Sequence, residues 1–391
     1  MSDKPYPLEG LRVLDLSRVL AGPYVGRLLC DLGAEVVKVE PPEGDVTRNW
    51  GKVVAGLSGY YTQQNVGKEA ICIDLRQPGG PALLKQLAAR ADVLVENFRP
   101  GVMAQYGLAY AQLAQDNPRL VMLSISGFGQ TGPQAPRPAY ASVLHAESGI
   151  VERQAHVDGT PPVDPRVSIA DMNAALHGTI GVLSALHLRE RTGRGQHVDI
   201  GMLDAMLATD DYVHLALDGV PPPHGIVNDI WEVASGHVVV AGDFRWVWRQ
   251  LNAVCGLADP TPPGASLHTK IEARRKAVAD YLRAFPDRPS LYAALDKANL
   301  AWGDVLTSAQ ALSAPTLAAR QSLTAIDDRA GGSRRVMRTP YRFSQAESGV
   351  RGVAPHQGEH NHHVLRRWLA LGEAEIDALE AAGVLLRETP G

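Results

Sequence analysis

Strand and helix patterns alternate along residues 1–200, and this alternation constrains the fold more than any other feature of the sequence. Short apolar runs typical of strands are separated by segments with helical periodicity, and tight hairpin turns are lacking. Strands joined through helices pair in parallel, so we expect a Rossmann-like α/β domain built on a parallel sheet. The predicted strands cover 11–16, 35–39, 70–75, 92–96 and 120–125.

Two changes of composition divide the rest of the chain. Glycine and proline cluster at 219–225, and a Gly-Gly-Ser sequence stands at 331–333. Both patterns are typical of linkers and hinges. A predicted strand at 237–241 and several helices lie between them. We therefore expect a large α/β domain over 1–218, a smaller α+β domain over 226–330 and a C-terminal segment over 331–391.

A long helix is predicted over 171–191. Leu176, Ile180, Leu183 and His187 recur at helical spacing, and small or apolar residues fill the other faces. A helix that is apolar on most sides is buried between layers. We expect this one to lie inside the large domain.

Composition and charge exclude several classes of protein. The net charge is -4 and the Lys and Arg residues are scattered, whereas a nucleic-acid partner requires a concentrated basic surface. The three cysteines form no C-x-x-C pair, which fits a reducing compartment without disulfides. The sequence has no signal-peptide pattern, and no apolar stretch approaches the roughly 20 residues that span a bilayer. We expect a cytoplasmic protein without a nucleic-acid or membrane partner.

Two motifs suggest cofactor chemistry, but their surroundings argue against it. Gly127, Gly129 and Gly132 match the G-x-G-x-x-G dinucleotide pattern, yet the prolines within 133–138 prevent the helix that would face a pyrophosphate. We interpret this segment as a glycine loop near a ligand. The four histidines within 356–363 lack a metal-ligand spacing, so a polar turn is favoured over a metal site. No metal and no tightly bound cofactor are predicted.

Asp171 has two interpretations from its local sequence. It follows the apolar stretch 167–170 and precedes the long helix. Aspartate is a preferred helix N-cap, because its carboxylate accepts backbone N–H groups. The same position would place a carboxylate on a rigid element, held ionised by the helix dipole, as a carboxylate nucleophile requires. The local sequence leaves both roles open.

A series of segments, in the same order along the chain, resembles one enzyme family. They include VLDLSRVLAGP at 13–23, DVLVENFRPG at 92–101 and TGRGQHVD at 192–199. Shorter matches lie at 31–40, 117–120, 126–129, 203–205, 358–361 and 383–384. The chain thereby resembles the class III CoA-transferases, a family that includes formyl-CoA transferase, carnitine CoA-transferase and α-methylacyl-CoA racemase.

The resemblance implies an activity and a site. Asp171 falls on the nucleophile of an enzyme that moves CoA between an acyl-CoA and a free carboxylic acid through an aspartyl-CoA intermediate. Acyl-CoA is then a substrate, and the resemblance implies an interlocked, ring-like homodimer in which 331–391 returns to the large domain. The implied CoA-binding residues are Val19, Ile73, Arg76, Asn97, Phe98, Arg99, Tyr106, Arg137 and Tyr140.

Two alternative functions remain open on the sequence. A 2-methylacyl-CoA racemase of this family would carry a His-Asp dipeptide near Tyr140 and Ala141, and neither residue type stands there. Racemisation is therefore second to CoA transfer. A non-catalytic protein that binds CoA esters would show binding without turnover.

Overall fold

The computed structural model describes residues 4–221 and 228–387. Its contacts divide the chain into a first unit, Met1–Val220 with Ala319–Gly391, and a second unit, Pro221–Ala318. Of the predicted linker 219–225, residues 222–225 lie outside the described part. Gly331, where the sequence predicts the second boundary, lies within the first unit, between two paired strands. No helix in the described ranges is long and apolar enough to cross a membrane.

The first unit contains a six-stranded parallel sheet, as the alternation predicts. Its strand order is β5-β2-β1-β6-β7-β8, and every pairing is parallel. Two antiparallel pairs, β3–β4 and β12–β13, complete this unit, and the second unit holds the antiparallel sheet β11-β10-β9. The strands are β1 (Arg12–Asp15), β2 (Glu35–Glu40), β3 (Val53–Val54), β4 (Leu57–Ser58), β5 (Glu69–Cys72), β6 (Val93–Glu96), β7 (Val121–Ser126), β8 (His197–Gly201), β9 (Asn228–Val233), β10 (Gly236–Ala241), β11 (Ala301–Asp304), β12 (Leu323–Asp327) and β13 (Ser333–Met337).

Helices connect these strands in both units. Those of the first unit before residue 220 are α1 (Ala21–Asp31), α2 (Gly59–Asn65), α3 (Gly79–Ala88), α4 (Val102–Gln105), α5 (Tyr110–Asp116), α6 (Ala141–Glu147), α7 (Ile150–Asp158), α8 (Ile169–Thr192), α9 (Met202–Thr209) and α10 (Val213–Leu217), with a 3₁₀ turn at Val46–Asn49. The later helices are α11 (Phe244–Cys255), α12 (Leu267–Arg283), α13 (Arg288–Lys297), α14 (Ser308–Ala311), α15 (Pro315–Ala319), α16 (Asn361–Leu369) and α17 (Glu373–Ala381).

The parallel sheet is covered on both faces. Successive residues of a strand point to opposite faces, so Val13 belongs to one buried cluster and Leu14 to the other. The Val13 cluster includes α1 and α8, and the Leu14 cluster includes α3, α16 and α17. This arrangement explains why nearly every residue of β1, β2 and β6 is buried.

The strand order reverses at the centre of the sheet. From β1 the chain proceeds to β2 and β5 on one side, and it then returns to build β6, β7 and β8 on the other. Loops that leave the carboxyl ends of strands at such a reversal diverge and form a crevice in which ligands bind. Here the diverging loops are 16–20 after β1 and 97–101 after β6.

The long helix α8 corrects two predictions. It begins at Ile169 rather than at Asp171. It is also buried on one side only: Ala174, Gly178 and Val182 are buried, whereas Leu176 and Ile180 are exposed, at 43% and 60%. The buried side carries small residues because the helix approaches β7 closely. A Cβ atom on Gly178 would lie 3.0 Å from the Leu123 side chain.

The last part of the chain completes the first unit at the edge of the sheet. The β5 backbone bonds to this segment: the Cys72 N–H donates to the Asn361 side chain at 3.0 Å, and the Leu386 N–H donates to the Cys72 carbonyl at 3.2 Å. The Ala70 N–H donates to His360 Nδ1 at 3.2 Å, and the His360 N–H donates to the Ala70 carbonyl at 2.9 Å. The C-terminal segment thus takes the place of another strand beside β5.

The second unit has its own apolar core. Trp231 and Val238 of the antiparallel sheet pack with Trp248 and Leu251 of α11, and α12 and α13 add further buried residues. The predicted strand at 237–241 corresponds to β10.

Candidate active site

Asp171 lies where the N-terminal ends of two helices meet. It is in the first turn of α8, and its carboxylate accepts the backbone N–H of Ala21, the first residue of α1. Ser168, not Asp171, is the N-cap residue of α8. The side chain of Asp171 therefore reaches across to a second helix. Ala21 directly follows the loop after β1, so this carboxylate adjoins the crevice at the reversal of the sheet.

The electrostatics of Asp171 differ from the prediction. Burial raises the pKa of Asp171 to about 6, against the opposing effects of the Ala21 N–H, the His145 ring and its own backbone N–H. Desolvation disfavours the charged carboxylate more than the helix ends favour it. The carboxylate is still mostly ionised at pH 7, as predicted for a nucleophile, but burial rather than the helix end dominates its pKa. Desolvated carboxylates of this kind are typical of functional sites.

Two residues beside Asp171 were not found from the sequence. Burial, with the charges of Asp171 and Asp45 adding to it, raises the pKa of Tyr60 to about 12, so its phenol stays protonated. Buried His145 bonds through Nδ1 to the Asp164 carboxylate at 2.8 Å and accepts the Ala170 N–H at Nε2, 3.3 Å away. His145 thereby caps the start of α8, where Ser168 makes no side-chain cap. Both residues are remote from Asp171 in the sequence, and neither belongs to a motif.

The two crevice loops are tied to each other. The Asn97 side chain accepts the Arg18 N–H and donates to the Arg18 carbonyl, both at 2.8 Å. The Arg18 guanidinium lies 5.4 Å from the centre of the Phe98 ring. Val19, next in the chain, has a φ of 70°, which β-branched residues rarely adopt. Val19, Asn97 and Phe98, all predicted CoA-binding residues, are thus brought to one place.

The remaining predicted CoA-binding residues follow neighbouring strands at the same edge of the sheet. Arg99 is exposed, and within the described residues it forms no ion pair. Arg76, after β5, pairs with Glu43 at 2.6 Å and Asp74 at 2.8 Å. Arg137, after β7, pairs with Glu147 at 2.5 Å. A phosphate bound by Arg76 or Arg137 would have to replace or join these carboxylates.

The apolar and aromatic candidates differ in exposure. Ile73 is fully buried in the Leu14 cluster, where its backbone pairs with Leu385. Tyr106 is partly buried against the same cluster. Tyr140 is 71% exposed and immediately precedes α6, the helix that carries His145. Ile73 is only 1% exposed and its N–H bonds to the Glu40 carbonyl, so it offers a ligand very little surface.

The glycine loop is held by β8 and by the start of α9. The Gln130 N–H donates to both Asp199 oxygens, at 3.2 and 3.0 Å, and the Leu203 N–H donates to the Gly127 carbonyl at 3.1 Å. No helix begins in the loop, and the next one after β7 is α6. This agrees with the rejection of the dinucleotide motif.

The histidine cluster attaches the C-terminal helices. His362 bonds to Glu373 at 2.8 Å and to Glu380 at 3.2 Å. Its ring lies within metal-ligand reach of Asp377 and Glu380, but both carboxylates are exposed and His362 is already engaged. The predicted polar turn covers 357–360, whereas His362 lies in the first turn of α16 and joins that helix to α17.

The comparison with known proteins decides the family. The sequence profile of CoA-transferase family III matches residues 8–361. The chain belongs to CoA-transferase family III. It is therefore an enzyme that transfers CoA between an acyl-CoA thioester and a carboxylic acid.

Several relatives of this family III CoA-transferase match over most of its length. A succinyl-CoA–D-citramalate CoA-transferase of Chloroflexus aurantiacus is 33% identical over 97% of this chain and 98% of its own. An acetyl-CoA:oxalate CoA-transferase of Acetobacter aceti is 35% identical over 81% of this chain and 85% of its own. The human succinyl-CoA:glutarate CoA-transferase is 29% identical over 97% and 90%.

Solved structures share the fold of this CoA-transferase. A CAIB/BAIF family protein from Brucella suis superposes with a TM-score of 0.81, at 33% identity, over 93% of this chain and all of its own. A D175A mutant of a Mycobacterium tuberculosis protein gives a TM-score of 0.77, at 27% identity, over 92% and 98%. The α/β architecture with a central parallel sheet is thus common to all three.

Proposed function

We propose that this CoA-transferase forms a covalent intermediate on Asp171. The observation that carries the proposal is the position of the carboxylate. It is desolvated at the start of α8, its contact with the Ala21 N–H places it beside the crevice, and within the described residues no ion pair neutralises it. A carboxylate in this state is available for attack on an electrophile.

The first half of the proposed reaction transfers CoA to the enzyme. An Asp171 oxygen attacks the thioester carbonyl of the donor, and the C–S bond breaks to give a mixed anhydride and CoA thiolate. The thiolate then attacks the Asp171 carbonyl carbon. The donor acid leaves as a carboxylate, and an aspartyl-CoA thioester remains.

The second half repeats these steps with the acceptor. The acceptor carboxylate attacks the aspartyl thioester, which gives a new mixed anhydride and CoA thiolate. The thiolate attacks the acceptor carbonyl, so the acceptor becomes an acyl-CoA and Asp171 is released as a carboxylate. No net proton or electron is consumed in the two halves together.

Backbone donors around Asp171 suit this chemistry. Each attack on the Asp171 carbonyl places negative charge on an oxygen, and N–H groups at helix N-termini stabilise such a charge. We assign this role to the Ala21 N–H. Tyr60 stays a neutral phenol because its pKa is about 12. We further propose that the loop 127–132 limits access of water to the anhydride.

CoA binding is proposed for the loops at the same edge of the sheet. Arg76, Arg99 and Arg137 would contact the phosphates, because guanidinium groups bind phosphate oxygens in pairs. Val19, Ile73, Asn97 and Phe98 would contact the rest of the CoA molecule, and Tyr106 and Tyr140 would line the path to the thioester.

The substrates and the assembly are inferred from the relatives and the resemblance. Relatives act on citramalate, oxalate and glutarate, so we infer that this enzyme also takes a short dicarboxylate. We further infer an interlocked homodimer, and exposed Leu176 and Ile180 on α8 offer it an apolar surface. A cytoplasmic location fits the three free cysteines.

Trapping with hydroxylamine tests the covalent intermediate. The enzyme is incubated with succinyl-CoA or acetyl-CoA and quenched with hydroxylamine, which converts an aspartyl thioester to a hydroxamate. We expect peptide mass spectrometry to find the hydroxamate at Asp171. Product that accumulates while Asp171 stays unmodified would disprove the proposal.

The matched control is another aspartate in the first turn of a helix. Asp204 holds that position in α9 but is exposed. Asp171→Asn should abolish turnover and hydroxamate formation while CoA binding persists. Asp204→Asn should retain both the turnover and the hydroxamate at Asp171.

A further inference from the structure

Val19 has a strained backbone next to the proposed active site. Among the non-glycine residues with positive φ in the described ranges, Val19 is the only β-branched one. Both methyl groups of valine crowd the backbone in this conformation, which costs free energy unless the surroundings enforce it. The strained turn is therefore maintained by specific contacts.

Asp45 supplies the contact at Val19 itself. The Val19 N–H points at both carboxylate oxygens of Asp45, at 3.4 and 3.3 Å. The Thr47 N–H and hydroxyl donate to the same carboxylate, at 3.0 and 2.8 Å. Asp45 is buried, so its orientation is fixed by these donors rather than by water.

Lys38 connects Asp45 to the other end of the turn. Its ammonium lies 3.1 Å from Asp45 Oδ2 and donates to the Ser17 carbonyl at 2.9 Å, and both charged side chains are fully buried. Burial acts to raise the pKa of Asp45, but the Lys38 charge and the Thr47 donors outweigh it and hold that pKa below its usual value. The Lys38–Asp45 pair thus remains ionised.

The strained turn determines where α1 begins. Ser17, Arg18 and Val19 are each held, by Lys38, Asn97 and Asp45. After one further residue comes Ala21, whose N–H donates to Asp171. A change of φ at Val19 would rotate this N–H away from the carboxylate.

We propose that the buried Lys38–Asp45 pair is a positioning device that holds Val19 in its left-handed conformation and so aims the Ala21 N–H at Asp171. This inference rests on the proposed role of Asp171 as acyl acceptor. Lys38 and Asp45 touch no reacting atom in this scheme. They act through the backbone of residues 17–21.

The substitution Val19→Gly distinguishes the positioning role of the Lys38–Asp45 pair from a merely structural role. Glycine adopts a positive φ without strain, so a chain with Val19→Gly needs the clamp less. We expect Asp45→Asn to lower the rate of hydroxamate formation at Asp171 roughly tenfold or more in the natural background. In the Val19→Gly background the same substitution should lower it less than about threefold.

A milder variant and a control complete the experiment. Should Asp45→Asn fail to fold, Thr47→Val is the substitute, because it removes one donor to Asp45 and leaves the Lys38–Asp45 ion pair in place. We expect Thr47→Val to lower the rate of hydroxamate formation less than Asp45→Asn does. The Val19→Gly background should reduce this smaller loss as well. Asp31→Asn breaks the buried Arg27–Asp31 pair of α1, at 2.8 Å, and its effect should be the same in both backgrounds.

The experiment distinguishes failure of the positioning role from failure of the proposed covalent intermediate. An equal loss from Asp45→Asn, or from Thr47→Val, in both backgrounds would overturn the positioning role while leaving the covalent intermediate intact. Absence of any hydroxamate in the natural enzyme during turnover would instead remove the proposed function on which this inference rests.

Discussion

Burial and helix geometry act on the Asp171 carboxylate in opposite directions. The Ala21 N–H and the start of α8 favour the charged form, whereas desolvation disfavours it and raises the pKa to about 6. The group is thus charged but poorly solvated at neutral pH. Such a carboxylate is more nucleophilic than one in water, and the protein bears the free-energy cost.

That cost predicts a stabilising substitution. The unfolded Asp171 titrates near 3.8 and the folded one near 6, so the folded state binds more protons and stability falls as the pH rises between these values. Asp171→Asn removes the charge, and we expect it to raise the free energy of unfolding by about 1 to 3 kcal/mol above pH 7. Below pH 4 the effect should vanish.

Urea unfolding of the natural and Asp171→Asn proteins at pH 4, 6 and 8 measures this difference. Equal stabilisation at all three pH values would mean that packing, not desolvation of a charge, distinguishes the two side chains. Destabilisation at pH 8 would mean that the carboxylate is needed for the fold.

The sequence located Asp171 only through its family resemblance. Its local pattern favoured an N-cap, and the structure assigns the N-cap position to Ser168. Tyr60 and His145 escaped detection because tertiary packing alone brings them to Asp171. Sequence periodicity predicts which side of a helix or strand is buried, but it does not predict which residues from other parts of the chain pack against that side.

At the scale of elements, the apolar strands were predictable and the edge strand was not. β1, β2, β5, β6 and β7 lie inside the sheet or under its C-terminal cover, so their runs of apolar residues stand out. β8 alternates exposed His197 and Asp199 with partly buried residues, which is the pattern of a half-buried strand, but it is short and stands between Gly195 and Gly201, so it was not recognised. The exposed side of α8 was misjudged for a related reason, since Leu176 and Ile180 signal burial that the single chain does not provide.

The turn between α8 and β8 gives a prediction about packing. A Cβ atom at Gly195 would lie 1.9 Å from the Leu120 carbonyl oxygen, and neighbouring backbone atoms leave it no room. We expect Gly195→Ala to lower the free energy of unfolding by more than about 3 kcal/mol. Urea-unfolding midpoints measure the loss.

Gly193 in the same turn is the matched control. It has a φ of 70° but a Cβ there would meet nothing within 4 Å. Gly193→Ala should therefore cost only about 1 kcal/mol, the strain of the backbone. Similar losses for the two variants would show that contact with Leu120 does not decide the effect.

At the scale of the whole molecule, assembly remains to be tested. The exposed apolar pair Leu176 and Ile180 predicts that glutamate at both positions weakens the proposed homodimer, because a buried charge in an interface is costly. Analytical ultracentrifugation should show a shift from dimer to monomer. Gln115→Glu, at an exposed position of α5, adds one negative charge outside this apolar pair and should leave the dimer intact. A natural protein that sediments as a monomer would contradict the proposal.

The first unit was more readily predicted than the second. Its parallel sheet contains the fully buried strands β6 and β7, whereas β10 and β11 of the second unit consist largely of exposed or half-buried residues. The glycine-rich and proline-rich patterns at 219–225 and 331–333 indicate loops, but a loop is not necessarily a boundary between units. Contacts place the second change of unit at 318–319, because β12 and β13 pack with the first unit rather than the second.

The bonds between β5 and residues 360–386 have a consequence for biosynthesis. During translation β5 emerges from the ribosome early, but the residues that cover its free edge emerge only after the entire second unit. An open strand edge invites pairing with other chains. Nascent chains of this enzyme should therefore depend on chaperones until translation is nearly complete, and chains truncated after residue 350 should form inclusion bodies.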